Sequence, residues 1–163
     1  MSGVKKITNL EELSKSLTLF FEVTKLAGVT LSDDDIKIDR CINHKVASLG
    51  KNKMAVYVFS FKGDCLKVGK AGPRSQARYI SHHYNASSSQ SNLSKSLLAH
   101  RHEPRFFSVP EDNPGAWIKQ NVERVNFILD KSVGIPVLNL LESFLQCRLN
   151  PCFEGFKSQQ SYR

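Results

Sequence analysis

The chain has 163 residues, 40% of them hydrophobic and 23% charged, with a formal net charge of +8. That length and balance fit one globular domain with a modest extension, large enough to bury a real core. No apolar run approaches the ~20 residues that cross a bilayer, and residues 1–13 lack the apolar block of a signal peptide, so a cytoplasmic chain with no membrane contact is expected.

Cys41, Cys65, Cys147 and Cys152 lack the close pairing of a zinc or disulfide framework, so reduced, mostly buried thiols are expected. The charge is unevenly spread. Between Lys62 and Arg105 stand eight lysines and arginines against two acids, Asp64 and Glu103. A surface of that sign suits a nucleic-acid backbone; the plainer reading is a solvated basic face with no partner.

Residues 1–50 read as a helical N-terminal extension. Asn9 stands at an N-cap position with Glu12 three residues on. Leu10, Leu13, Leu17, Phe20, Phe21, Val23 and Leu26 then recur at helical spacing up to Gly28, a C-cap. Ser32 and the aspartates 33–35 open a second, weaker helix or an extended segment through Ile42. Three aspartates invite a metal reading, but acids at a helix N-terminus complement the dipole, and no spaced ligands follow as a calcium loop requires.

A basic turn at residues 50–53 leads into residues 54–61, rich in strand formers. Lys62, Gly63 and Asp64 supply a turn. Residues 65–69 alternate, which assigns Leu66 and Val68 to one face and Lys67 to the other. After Gly69, Lys70, Ala71, Gly72 and Pro73 the pattern becomes helical, with Ser75 as N-cap and Arg78 and His82 four apart on one face. A strand phenol, Tyr57, thus gathers with cations and imidazoles at the end of a hairpin. Such a collection suits a phosphate.

Residues 85–96 are polar and low in complexity, a solvated loop or one that touches a phosphate backbone. Residues 97–102 continue a short helix; His100 and His102 diverge there and lack a third ligand, so they read as basic surface. An extended piece at 105–109 and a turn at 112–115 precede a helix with Trp117 and Ile118 in the core. Residues 122–130 make the third strand, with Val125, Phe127 and Leu129 on one face. After a break at 133–136, Leu138, Leu141, Leu145 and Leu149 form a helical stripe widened by Leu140 and Phe144. Glu142 sits beside that stripe, at the boundary between core and cleft.

As an ordered set these residues resemble the GIY-YIG nuclease superfamily, whose core opens with two short tyrosine-bearing strand motifs and an arginine-bearing helix. Ala55, Val56 and Tyr57 stand as the first motif, and Lys67, Val68 and Gly69 as a second motif of the lysine type. Lys70 and Ala71, Arg78, His82 or His83, and Leu141 with Glu142 follow, and Asn150, Pro151, Cys152 and Phe153 are similar to the family's closing proline segment. Glu154 stands where an asparagine often follows that proline. The resemblance covers roughly residues 54–155. The expected architecture is α/β (α+β): a small three-stranded mixed or antiparallel sheet flanked by helices over residues 51–156. The helical extension precedes it, and a polar tail, 157–163, follows.

The resemblance implies metal-dependent endonucleolytic cleavage of DNA by a one-metal mechanism. Glu142 would hold Mg²⁺ or Mn²⁺, which commonly binds through one carboxylate plus waters and substrate phosphate. Arg78 would present its planar fork to the phosphate. Tyr57 would be the general base, directly or through water. A free phenol titrates near ~10, so Lys67 and Lys70 are expected to supply the field that ionises it, with His82 relaying a proton. The expected catalytic set is Tyr57, Lys67, Lys70, Arg78, His82 and Glu142. Lys70, Arg74, Arg78, His83, Lys95 and Arg101 are the expected nucleic-acid contacts.

Two other classes of function fit the same chain. One is a nucleic-acid-binding module without catalysis, recognisable by salt-sensitive binding. The other is a protein-interaction domain or homodimer engaged through the N-terminal helix, with Leu17, Phe20 and Phe21 on an exposed face.

Overall fold

Leucine and phenylalanine at helical spacing wind the first segment into α1 (Leu10–Leu26), in a computed structural model that describes residues 10–45, 48–89 and 92–153. Asn9, the expected cap, lies outside those residues. The other end closes as expected on Gly28, at φ 77°. The Val29 N–H reaches the Thr24 carbonyl at 2.8 Å and the Gly28 N–H reaches that of Lys25 at 3.0 Å. That pair of bonds is a Schellman closure, which the left-handed glycine permits. Leu13, Leu17 and Phe20 are buried, and Phe21 packs partly against the same core. The exposed docking face expected for Leu17, Phe20 and Phe21 is therefore corrected: these side chains are the inner face of the helix.

Ser32 donates both its N–H and its hydroxyl to the Asp35 carboxylate, at 2.7 and 2.9 Å, and this turn delivers strand β1 (Ile36–Arg40). Of the two readings of this segment the extended one holds. The sheet is completed by β2 (Lys53–Phe61), β3 (Asp64–Ala71) and β4 (Glu123–Asp130), in the order β1-β4-β2-β3 with every pair antiparallel. Four strands replace the three expected. β1 escaped because it is short, alternates only weakly, and follows acids that equally suit a helix start.

Lys62 and Gly63 join β2 to β3 with φ of 50° and 84°. Positive φ at both central residues follows the right-handed twist of the strands. A bulge then upsets the simple alternation expected for β3. Phe59 faces Lys67, yet Ser60 faces Cys65, so Leu66 is the extra residue. Leu66 consequently joins one core and Val68 the other, instead of sharing a face.

Five α-helices lie among the described residues. α5 (Ile135–Leu149) covers one face of the sheet together with α1; Leu138, Leu141, Leu145 and Leu149 meet Met54, Val56, Phe127 and Leu129 there. The other face carries Tyr57, Phe59 and Leu66 beneath α2 (Gln76–Ile80), α3 (Leu93–Ala99) and α4 (Pro114–Asn121). Asn92 and Asn113 cap α3 and α4 by accepting from the N–H groups of Lys95 (2.8 Å) and Ala116 (3.0 Å). Residues 104–106 form a 3₁₀ turn where an extended piece was expected.

α5 ends on Asn150 in the left-handed region, φ 48°. The chain then returns along β3, the N–H groups of Cys152 and Phe153 donating to the carbonyls of Cys65 (2.9 Å) and Leu66 (2.8 Å). Glu154 and the tail 157–163 lie outside the described residues. All four cysteines are free; Cys41 and Cys65 are buried, whereas Cys147 is exposed. Among the described residues no helix is long and apolar enough to cross a membrane.

Candidate functional site

Alternation on the central strand β2 sends Tyr57 away from the α1–α5 core, under α2 and the turn that follows it. Gly69 is its cross-strand partner on β3. A β-carbon at Gly69 would stand 2.6 Å from Cε2 and 2.7 Å from Oη of Tyr57. The glycine is needed for space, because the phenol lies directly over it. Tyr57 and Gly69, on neighbouring strands, are thus in contact.

Two donors converge on the Tyr57 oxygen. Arg78 Nε donates from α2 at 3.3 Å, and His83 Nε2 lies at 2.7 Å. The His83 tautomer follows from its other nitrogen. Nδ1 accepts the Leu93 N–H at 3.3 Å, at the start of α3, so the neutral ring carries its proton on Nε2 and donates it to Tyr57. Burial holds His83 well below its ordinary pKa, and the charges of Lys67, Arg124, Arg78 and His82 act in the same direction. The phenol oxygen therefore accepts two hydrogen bonds and retains its own proton.

Burial is also the largest influence on Tyr57, which is 0% exposed, and it pushes the phenol above its ordinary value. Arg78, by charge and hydrogen bond, and Arg124 pull it down; Glu142 pushes it up. Both donors bond more strongly to the oxyanion than to the neutral phenol, which opposes the burial. The site can hold a phenoxide once its proton has left. At neutral pH it holds a phenol.

The expected residues divide between two neighbourhoods. Tyr57, Arg78 and His83 meet in one, with Lys67, 3% exposed, contributing charge to it. Lys70 and Glu142 form the other. Lys70 Nζ sits 2.5 Å from Glu142 Oε2, on a carboxylate whose side chain is 15% exposed. Lys70 is therefore spent on Glu142 and does not face the phenol. His82 is half-buried and offers its carbonyl to Ser88 Oγ at 2.7 Å. Spacing of four from Arg78 pointed to His82, but α2 stops at Ile80 and Ser81 leaves the helical region, so His83 turns inward to Tyr57 instead. Arg74, Arg78 and Lys95 are exposed, and Arg101 pairs with Glu111.

No group of three or more His, Cys, Asp or Glu side chains converges as a metal cage among the described residues. A single carboxylate nonetheless suits Mg²⁺, which keeps most of its waters and takes a substrate phosphate. A cation, the Lys70 ammonium, already rests against Glu142. A metal on that carboxylate would have to displace the ammonium from Oε2.

Sequence reasoning missed Arg124, 1% exposed, which donates to Asn126 Oδ1 (2.9 Å), Tyr84 Oη (3.0 Å) and the Tyr79 carbonyl (2.9 Å). Tyr84 Oη donates to His44 Nδ1 at 2.9 Å, since His44 Nε2 donates to the Val122 carbonyl at 2.5 Å. The available signal was position: a polar residue next to Val125 on a central strand must point to the opposite, second covered side. No protein-family model, curated protein or solved structure matches the chain.

Proposed function

We propose that this chain is a metal-dependent endonuclease of the GIY-YIG type that hydrolyses DNA phosphodiester bonds. The observation that carries the reading is the Tyr57 oxygen, which accepts from Arg78 and His83 while its own proton has no acceptor among the described residues. A general base needs an oxygen that is stabilised when ionised, and these two donors supply that once the phenol has lost its proton. Arg78 supports the same reading. Its Nε holds the phenol, and its terminal nitrogens make no hydrogen bond among the described residues and lie on an exposed side chain. They suit a phosphate oxygen.

In this scheme the Tyr57 phenol first gives its proton to solvent. A water then attacks phosphorus, its proton passes to the phenoxide, and the bond from phosphorus to the leaving oxygen breaks, that oxygen taking a proton from solvent. Arg78 stabilises the charge that builds on the phosphoryl oxygens. Glu142 would hold the Mg²⁺ or Mn²⁺, with Lys70 giving way from the carboxylate. Such an ion, when bound, stabilises negative charge at phosphorus. Arg74 and Lys95, both exposed, extend the basic surface for the DNA backbone.

A second reading, a binding module without catalysis, is favoured by one observation: the phenol is fully buried and water must gain access to it. Plasmid and branched-DNA cleavage with Mg²⁺, Mn²⁺ or a chelator separates the two. The nuclease reading expects metal-dependent cutting by the native chain that is lost in folded Glu142→Ala. Salt-sensitive binding without turnover on any substrate would leave the binding module in its place.

A further inference from the structure

Arg124 is the largest fully buried side chain in the molecule's described part, and it has no ion-pair partner among the described residues. Burying a guanidinium is strongly unfavourable unless its charge and donors are satisfied, and a well-packed apolar residue commonly serves stability better. Stability alone is a poor reason for an arginine here. What the side chain touches is more informative.

Its three hydrogen bonds run to β4, to the backbone of α2 and to the turn at His82–Tyr84. Its guanidinium carbon also lies 5.3 Å from the centre of the Tyr57 ring, 5.2 Å from that of Phe59 and 4.7 Å from that of Tyr79. One rigid fork thereby joins the strand that carries Tyr57, the helix that carries Arg78 and the turn that carries His83. Each of those elements is short or irregular: α2 has five residues, and the turn follows a break at Ser81. Neither has enough internal hydrogen bonding to fix a side chain by itself.

The countercharge arrives from the strand that the sequence concealed. Asp39 on β1 accepts from Asn126 Nδ2 at 3.1 Å, and Asn126 Oδ1 accepts from Arg124 Nε. The carboxylate thus acts on the guanidinium through an amide, without the close ion pair that would pull the fork away from the aromatic rings. β1 adds more than a fourth strand. It completes the electrostatics beneath the site.

We infer that Arg124 is the positioning residue of the Tyr57–Arg78–His83 constellation, locking the phenol and imidazole into the geometry in which His83 donates to Tyr57. As a contribution to catalysis this rests on the nuclease reading; as a statement about geometry it does not. At 1% exposed, Arg124 acts through the residues it touches and is not a catalytic residue.

The test uses the full chain with carbon-13-labelled tyrosine and nitrogen-15-labelled histidine, the signals assigned with Tyr57→Phe and His83→Gln. In Arg124→Met, with folding verified, the Tyr57 signal shifts and His83 no longer shows a single Nε2–H tautomer. Tyr84→Phe, which removes one acceptor of the fork while keeping the ring, moves both signals the same way by less and remains decisive if Arg124→Met does not fold. In cleavage assays kcat falls about 10²-fold with little change in KM. Unmoved Tyr57 and His83 signals in folded Arg124→Met, or in Tyr84→Phe where that variant alone folds, overturn the assignment. Movement of both signals in a chain that cuts no DNA sustains it and removes the nuclease reading. Cleavage that persists in Arg124→Met with both signals in place does the reverse.

Discussion

On one face of the sheet Met54, Val56, Val58 and Phe127 meet α1 and α5 almost entirely through carbon. On the other face the same two strands, β2 and β4, present Tyr57, Arg124 and Asn126, all fully or almost fully buried, to imidazoles and tyrosines. The aliphatic face needs shape and area, for which many combinations of similar volume serve. The polar face needs particular donors at particular angles, because a buried polar group without a partner costs more than a pair contributes. One face therefore supports the fold, and the other holds a device that the fold supports.

The comparison is broken most severely at Tyr57. Tyr57→Phe leaves the aromatic packing and removes the oxygen on which Arg78 and His83 converge; cleavage should fall by roughly 10²–10⁴-fold in a chain that still folds by circular dichroism. A large-to-small change on the aliphatic face should act only on stability. Leu141→Ala, at a residue 0% exposed, should cost about 2–5 kcal/mol in urea unfolding, while the surviving folded fraction keeps its cleavage rate.

Acid should find the polar face first. His83 and His44 are held below their ordinary value by burial, so the folded state resists protonation that the unfolded chain accepts near ~6.5. Their contribution is present above that pH and is lost as the pH falls below it, at up to ~1.4 kcal/mol per pH unit for each histidine until its folded-state value is reached. Urea titrations of the native chain and His83→Gln at several pH values measure this; the variant should show the shallower acid loss. At the small end, Leu19→Lys on the outer side of α1, where Leu19 is 46% exposed, should change stability by less than about 0.5 kcal/mol.

The aliphatic face was readable from periodicity, since Leu13, Leu17, Phe20 and the leucines of α5 repeat at the spacing that their helices bury. The hairpin was readable from Lys62 and Gly63, whose turn chemistry is local. Tyr57, Arg78 and Glu142 could be singled out by order along the chain. The partners of these residues could not. His83 replaces His82 on the phenol because α2 ends early, Leu66 and Val68 part company because of a bulge, and Lys70 turns to Glu142 across the sheet edge. Each depends on a break in regular structure or on a contact distant in sequence. β1 and Arg124 share that cause: a five-residue strand and a lone arginine acquire meaning only when the sheet is assembled.

The most direct test is single-turnover cleavage of supercoiled plasmid with Mg²⁺, from about pH 6 to about pH 10, by the native chain and by folded Tyr57→Phe. Burial holds the Tyr57 phenol above its ordinary value, so the ionised base grows scarcer as pH falls. The logarithm of the native rate should rise with pH with a slope near one across that range, and Tyr57→Phe should lie far below it without that slope. A native chain that never cuts, or two parallel profiles of equal height, would contradict the nuclease reading with Tyr57 as its base.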